Sequence, residues 1–263
     1  MYYLRLLGSF LRASAQNELA YRANFWISLL HSLLSLGTAV LGVSVLFHQV
    51  ESVRGWTFPA TLALLGVYQI LGAVRGLFIG PSLEALVGMD GEVWTGRFDF
   101  TLLRPADIQF LASFRHWRLF VLVDLALGCG VMGMAMAQMG QAVSLDSLAS
   151  FVIALFAAVI ILYAVLLAFS ALVFWSPGFL FTWVFDGLFQ MARYPVGIYP
   201  GWLRLVLTWA VPVGFMTTVP AQALSGELPA LTLLGGVVLA LLLLVGSSTL
   251  FRHGLRRYAS ASS

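Results

Sequence analysis

Long apolar runs alternate with short polar ones along the whole chain. Residues 2–22 come first and mix Leu4, Leu7, Phe10 and Leu11 with Arg5, Arg12, Gln16 and Arg22. Apolar positions there recur at three- and four-residue spacing. That is the pattern of an amphipathic helix lying in a membrane interface, or of a helical extension of the first span. Apolar runs follow at about 25–47, 58–79, 117–139, 148–175 and 228–251. Each is long enough to cross a hydrocarbon core of roughly 30 Å as a helix. The connections at 48–57 and 141–146 are short, and the tail 252–257 is basic.

The region 176–227 divides less cleanly. One candidate span, 178–192, is short and interrupted by Asp186; the other, 205–223, is free of charge but holds Pro212 and Pro220. Either one as a full crossing gives six transmembrane helices with both termini on one side. The positive-inside bias favours a crossing by 205–223, which leaves only Arg54 outside. The prolines favour a crossing by 178–192, with 205–223 folding back as an external re-entrant hairpin. Broken backbone at membrane depth needs protein or water around it. The expected fold is therefore all-α and polytopic, a single domain over residues 1–263 with an interfacial helix at 1–22.

Composition agrees. The chain of 263 residues is 60% hydrophobic and 10% charged, against about 25% charged in a soluble domain. All fourteen basic residues are arginine. Without a lysine the chain cannot carry a standard P-loop, so no ATP-hydrolysing site is expected in it. Its net charge of +3 does not point to nucleic acid. Cys129, the single cysteine, lies in an apolar run, which excludes disulfides and cysteine-rich metal sites. No His-Glu-x-x-His or Gly-x-Ser-x-Gly occurs, and no catalytic residue, cofactor or metal is expected. The first strong apolar run begins too far in, and is too long, for a cleaved signal peptide. Arg5, Arg12, Arg22, Arg75, Arg97, Arg104, Arg115, Arg118, Arg252, Arg256 and Arg257 fall on one side in both topologies. That side is expected to be the cytoplasm, beneath a cell inner membrane.

The polar stretch 80–116 is the longest segment of mixed charge, with Gly91-Glu92-Val93-Trp94-Thr95-Gly96-Arg97-Phe98-Asp99-Phe100-Thr101-Leu102-Leu103-Arg104-Pro105 at its centre. Two motifs carry a resemblance. Gly96-x-x-Asp99-x-x-Leu102-Leu103-Arg104-Pro105 is similar to a cytoplasmic pattern of ABC-2 type transporter permeases. Tyr194-Pro195-x-x-Ile198-Tyr199-Pro200-x-Trp202-Leu203-Arg204, followed by Pro212 and Pro220-Ala221, resembles the segment before their last helix. The group resembled is the ABC-2 family formerly listed as a domain of unknown function. The chain departs from it at Gly91-Glu92-Val93-Trp94.

The resemblance implies a second permease half, the same or a related chain, above two copies of an ATP-binding subunit, working as an exporter. Segment 80–116 is then the coupling element. Leu102 and Leu103 would bury in a partner groove, Phe98 and Phe100 would add apolar area, and Arg97 and Arg104 would pair with partner carboxylates. Asp99 belongs to the motif, and Pro105 would end a short helix. A solvated loop folded on its own membrane surface is the alternative. The segment 194–227, with Tyr194, Pro195, Tyr199, Pro200, Trp202, Pro212 and Pro220, would gate the outer side or serve as the fifth span.

Ionisable groups inside spans are candidates for function because lipid penalises them. Asp124 is expected to pair with Arg75 or Arg118, or to serve as counter-ion to a cationic substrate; Asp186 is similar. His31 and Gln69 are expected to hydrogen-bond between helices. Gly72, Gly76 and Gly80 form a small-residue stripe for internal packing or a permease–permease seam. The expected cargo is a hydrophobic or amphipathic small molecule, cationic drugs and toxicants among the candidates. Export of a lipid or envelope precursor is the alternative. An ion-coupled carrier or a non-transporting scaffold would be a different class.

Overall fold

The computed structural model describes residues 1–20, 22–140, 144–178, 181–226 and 228–258. Among them there is no strand, only an isolated antiparallel pair, Val53 and Trp56. A helix α1 (Tyr2–Ala20) precedes α2 (Arg22–Gln49). The next long helix is α3 (Phe58–Glu84). After the short α4 (Phe98–Leu102) and α5 (Ile108–Phe114) come α6 (Leu119–Gln138) and α7 (Leu145–Phe174). The chain ends with α8 (Phe181–Gln190), α9 (Gly201–Ala210), α10 (Val213–Leu224) and α11 (Ala230–Arg257). Of the 141–146 connection, only Ser144 onward is described; Ser144 caps α7 by accepting from the Ser147 N–H.

α3 outlasts its apolar run by five residues because Pro81 and Glu84 are absorbed into it. A π-type turn, Arg75–Ile79, precedes the proline. Pro81 cannot donate to the carbonyl of Leu77, and the Arg118 N–H takes that carbonyl instead at 2.8 Å. The freed acceptor thus ties α3 to the start of α6.

α3 and α7 form the centre of the bundle, each about half buried over its most apolar stretch (56% and 50%), whereas α2 is 6% buried. α2 turns Trp26, Ile27, Leu30, Leu34 and Leu41 outward, a surface suited to lipid rather than water. α11 packs along α7, α6 along α3, and α10 on both α7 and α3. The α3–α6 contact is close because glycines face each other's backbones. A Cβ on Gly66 would lie 3.1 Å from the Met132 nitrogen, and one on Gly128 would lie 3.0 Å from the Ile70 nitrogen. Of the predicted stripe, Gly76 packs on Val121 of α6, while Gly72 faces open space.

The contacts trace the path of residues 178–226. Gly178 packs on Trp94 at the basic end of the bundle. α8 rises from there but is ten residues long, about 15 Å, half a bilayer. Two 3-10 turns, Met191–Arg193 and Val196–Ile198, carry the chain on. Gly197 then meets the opposite end, where its carbonyl accepts from Arg54 at 2.5 Å. α9 and α10 meet at a 90° bend. By length and apolarity they would pass for one broken span, but both their outer ends stay at the Arg54 end. Arg204 donates back to the carbonyls of Gly197 and Tyr199. Gln222, Leu224, Ser225 and Gly226 line the same vestibule as Arg54, Gly55 and Trp56. Five of the described helices are long and apolar enough to cross a membrane, and the bent pair 201–224 is a broken sixth span or a re-entrant hairpin; its contacts with the Arg54 end suit the hairpin. The charge bias pointed the other way. Arg204 is held by backbone carbonyls, and Arg193 lies over the Tyr68 ring.

Candidate functional site

The polar stretch 80–116 is braced by hydrogen bonds and an ion pair within its own chain. Gly88 (φ 89°) and Gly96 (φ 73°) turn the chain in the left-handed region. Between them Gly91 comes so close to the end of α3 that a Cβ would sit 2.6 Å from the carbonyl oxygens of Leu86 and Val87. That approach lets the Glu92 N–H donate to Ala85 at 2.9 Å and the Phe98 N–H donate to Glu92 at 3.0 Å. The Glu92 carboxylate pairs with the Arg115 guanidinium, which also donates to the Thr101 hydroxyl at 2.8 Å. Burial pulls Arg115 below its ordinary pKa. His116 is pushed down to about 4 by burial and by Arg115, Arg104 and Arg118, so it is neutral at physiological pH beside Glu92. Ser82 of α3 exchanges hydrogen bonds with the His116 backbone in both directions.

α1 lies across this assembly, which sequence reading missed. The Ser14 hydroxyl accepts from the Trp117 N–H, and the Glu18 carboxylate from the Leu119 N–H. Burial raises Glu18 above its ordinary pKa, while backbone N–H groups and Arg118 pull it back. Tyr2 donates to the Pro105 carbonyl, and the Tyr3 ring packs on Phe110 at 4.8 Å. The signal available in the sequence was Ser14 and Glu18, one turn apart on the polar face.

The predicted coupling residues separate into two groups. Phe98 is not available to a partner: it is fully buried, with ring centroids 5.7 Å from Phe174 and 5.4 Å from Tyr258. An aromatic residue next to an acid reads as exposed, but the end of α11 covers it. Asp99 sits beside the Tyr258 hydroxyl, which burial and this carboxylate push up to about 12. Arg97 donates to the Asp90 carbonyl at 2.6 Å and to the Thr95 hydroxyl, so it is engaged within its own loop. Leu102 packs partly against the core. Phe100 (70% exposed) and Leu103 (81%) remain outward, beside exposed Arg104 and Pro105.

A second constellation lies between α3 and α8. Arg75 pairs with Asp186 at 2.5 Å and with Glu84 at 2.9 Å. Asp124 does not pair with Arg75 as expected, since α8 supplies Arg75's carboxylate; Asp124 accepts instead from Gln69 at 3.4 Å, an interhelical bond. Three rings stack into a ladder: Tyr68 on Phe189 at 5.1 Å and Phe189 on Phe185 at 5.5 Å. Each end carries a guanidinium, Arg193 over Tyr68 at 5.2 Å and Arg75 over Phe185 at 5.4 Å. The ladder borders a cleft of about 370 Å³.

At the other end, the proposed gate residues sit on the hairpin and the strap before it. The Tyr199 hydroxyl donates to the Met191 carbonyl at 2.9 Å. Thr217 donates to the Ala192 carbonyl at 3.1 Å. Pro195, Pro212 and Pro220 are buried, whereas Tyr194, Pro200 and Trp202 are exposed. A vestibule of about 970 Å³ opens beside them. Among the described residues no cluster of histidine, cysteine or carboxylate side chains is arranged to hold a metal.

Five to six helices apolar enough to cross a membrane, with a braced polar segment between two central ones, mark an integral membrane protein. The chain belongs to the ABC-2 family of transporters: a family model described as "ABC-2 family transporter protein" matches residues 33–262. It is thus the transmembrane component of an ABC transporter, and the family associates with an ABC ATP-binding subunit. No curated protein matches the chain.

Proposed function

We propose that this chain is one of two permease halves of an exporter in the cell inner membrane. The second half is the same or a related chain, and two ATP-binding subunits dock beneath. Both termini and the coupling segment face the cytoplasm, and the cargo is an amphipathic small molecule. The observation that carries this reading is the outward face formed by α4 and the turn after it. Phe100 and Leu103 are exposed next to Arg104, on a segment tied through Glu92–Arg115 and Ser82–His116 to the ends of α3 and α6. Apolar side chains held in water on a rigid support suit a partner that covers them. Force on that face reaches α3 and α6 through Arg115 and Ser82, and α11 through Phe98 and Tyr258. The hairpin 201–224 then serves as the outer gate.

Leu103→Ala with Arg104→Glu tests the docking. The expected result is loss of co-purification with the ATP-binding subunit, by about tenfold or more, with the permease itself folded normally. Unchanged association and unchanged stimulated hydrolysis would sink the coupling role.

A further inference from the structure

We infer that the cleft between α3 and α8 is a binding site for an amphipath with an anionic head, a phosphate or carboxylate on a hydrocarbon tail. The inference rests on the permease reading above and names the cargo class. The cleft is lined by Arg75, Arg118 and Arg193 against Glu84 and Asp186, with Gln190 as a neutral donor. These charges are not evenly matched along its depth. Near the basic end, Arg75 is shared by Glu84 and Asp186, and Arg118 is answered by Glu18 outside the lining. Higher up stands Arg193, level with Tyr68, sixteen residues along α3 from Glu84. That is about 24 Å from the helix end, well inside a hydrocarbon core of roughly 30 Å.

Arg193 forms no ion pair among the described residues. Its ring partner is Tyr68, and its Nε is buried without a hydrogen-bond acceptor. An arginine at that depth is costly unless an anion answers it, and cation–π contact with one ring offsets only part of the cost. An oxyanion placed in the cleft would supply the missing acceptor, with the Gln190 amide as a second donor. Beside it the wall is apolar: Phe189 is buried, and Gly72 leaves open space on the α3 side. A tail can lie there while the head sits against Arg193. Of the two carboxylates expected to meet a cationic cargo, Asp186 is already paired with Arg75 and Asp124 accepts from Gln69.

The test uses the full chain with its ATP-binding subunit in phosphatidylcholine nanodiscs. Radiolabelled dodecyl phosphate is the probe, with empty discs as background. Saturable uptake is expected, displaced by unlabelled dodecyl phosphate but not by dodecyltrimethylammonium. Arg193→Gln should weaken it by about tenfold or more, and Arg193→Lys should retain most of it. Asp186→Asn should tighten it, because Arg75 is then less neutralised; a residue that only supported the fold would not give a gain. Displacement by dodecyltrimethylammonium, or an Arg193→Gln variant that binds normally, overturns the inference. So does equal displacement by inorganic phosphate, which would mark a free anion. Arg193→Gln that breaks a permease dimer while wild type takes up no probe also overturns it, since a second copy would then supply the carboxylate. Retained ATPase association with no probe uptake removes this inference alone; loss of association would remove the permease reading.

Discussion

Neighbouring residues of one motif divide between core and surface. Phe98 and Leu103 read alike in the sequence, as apolar side chains in a charged stretch. The structure buries Phe98 completely and leaves Leu103 81% exposed. Burial decides the outcome of truncation. Phe98→Ala removes a ring packed on Phe174 and Tyr258 and should destabilise the protein by about 3–5 kcal/mol. Leu103→Ala should change stability by less than about 0.5 kcal/mol. Thermal denaturation of the two purified variants checks this. A small effect at Phe98 would mean that the ring is not part of the core. The distinction was not legible because the covering residues, Phe174 and Tyr258, are more than seventy positions away, and no local spacing encodes them.

Elements show what the sequence carries and what it does not. The five long helices were read to within about six residues at their ends, since hydropathy measures the solvent that a span must meet. Their ends moved where local hydrogen bonding overrode polarity, as at Pro81, whose orphaned acceptor on Leu77 is met by Arg118. Glycine stripes were legible as small residues, but not by partner: in the predicted 72–76–80 series only Gly76 meets another helix and Gly80 packs on its own, while Gly66 and Gly128 make the close crossing. Gly128→Val should therefore force α3 and α6 apart and cost about 1–3 kcal/mol. Gly133→Val, on the same helix but with nothing within 4 Å of its Cβ position, should be tolerated. Thermal stability in detergent compares the two; equal loss in both would mean that helix propensity, not the α3–α6 contact, sets the effect.

At the scale of the whole molecule, two physical rules disagreed and the packing favours one. Counting arginines places 205–223 across the membrane and Arg204 in the cytoplasm. Proline-broken backbone places 201–224 as a hairpin with Arg204 outside. The bonds from Arg54 to Gly197 and from Arg204 to Gly197 and Tyr199 gather the disputed arginine with the one that both schemes put outside. A positive-inside bias acts on arginines that must cross during insertion; two that are held by backbone carbonyls at the Arg54 end weigh less against the many at the other end. The proposed orientation rests on that imbalance. In a Cys129→Ser background, a cysteine at position 204 should react with a membrane-impermeant maleimide in intact cells. One at position 252 should react only after permeabilisation, because about 33 Å of helix separates it from the start of α11 at Ala230. Protection of position 204, with labelling recovered on permeabilisation, would restore the crossing by 205–223. It would also detach the hairpin from any role as outer gate, since a segment that spans the bilayer cannot open and close on one face of it.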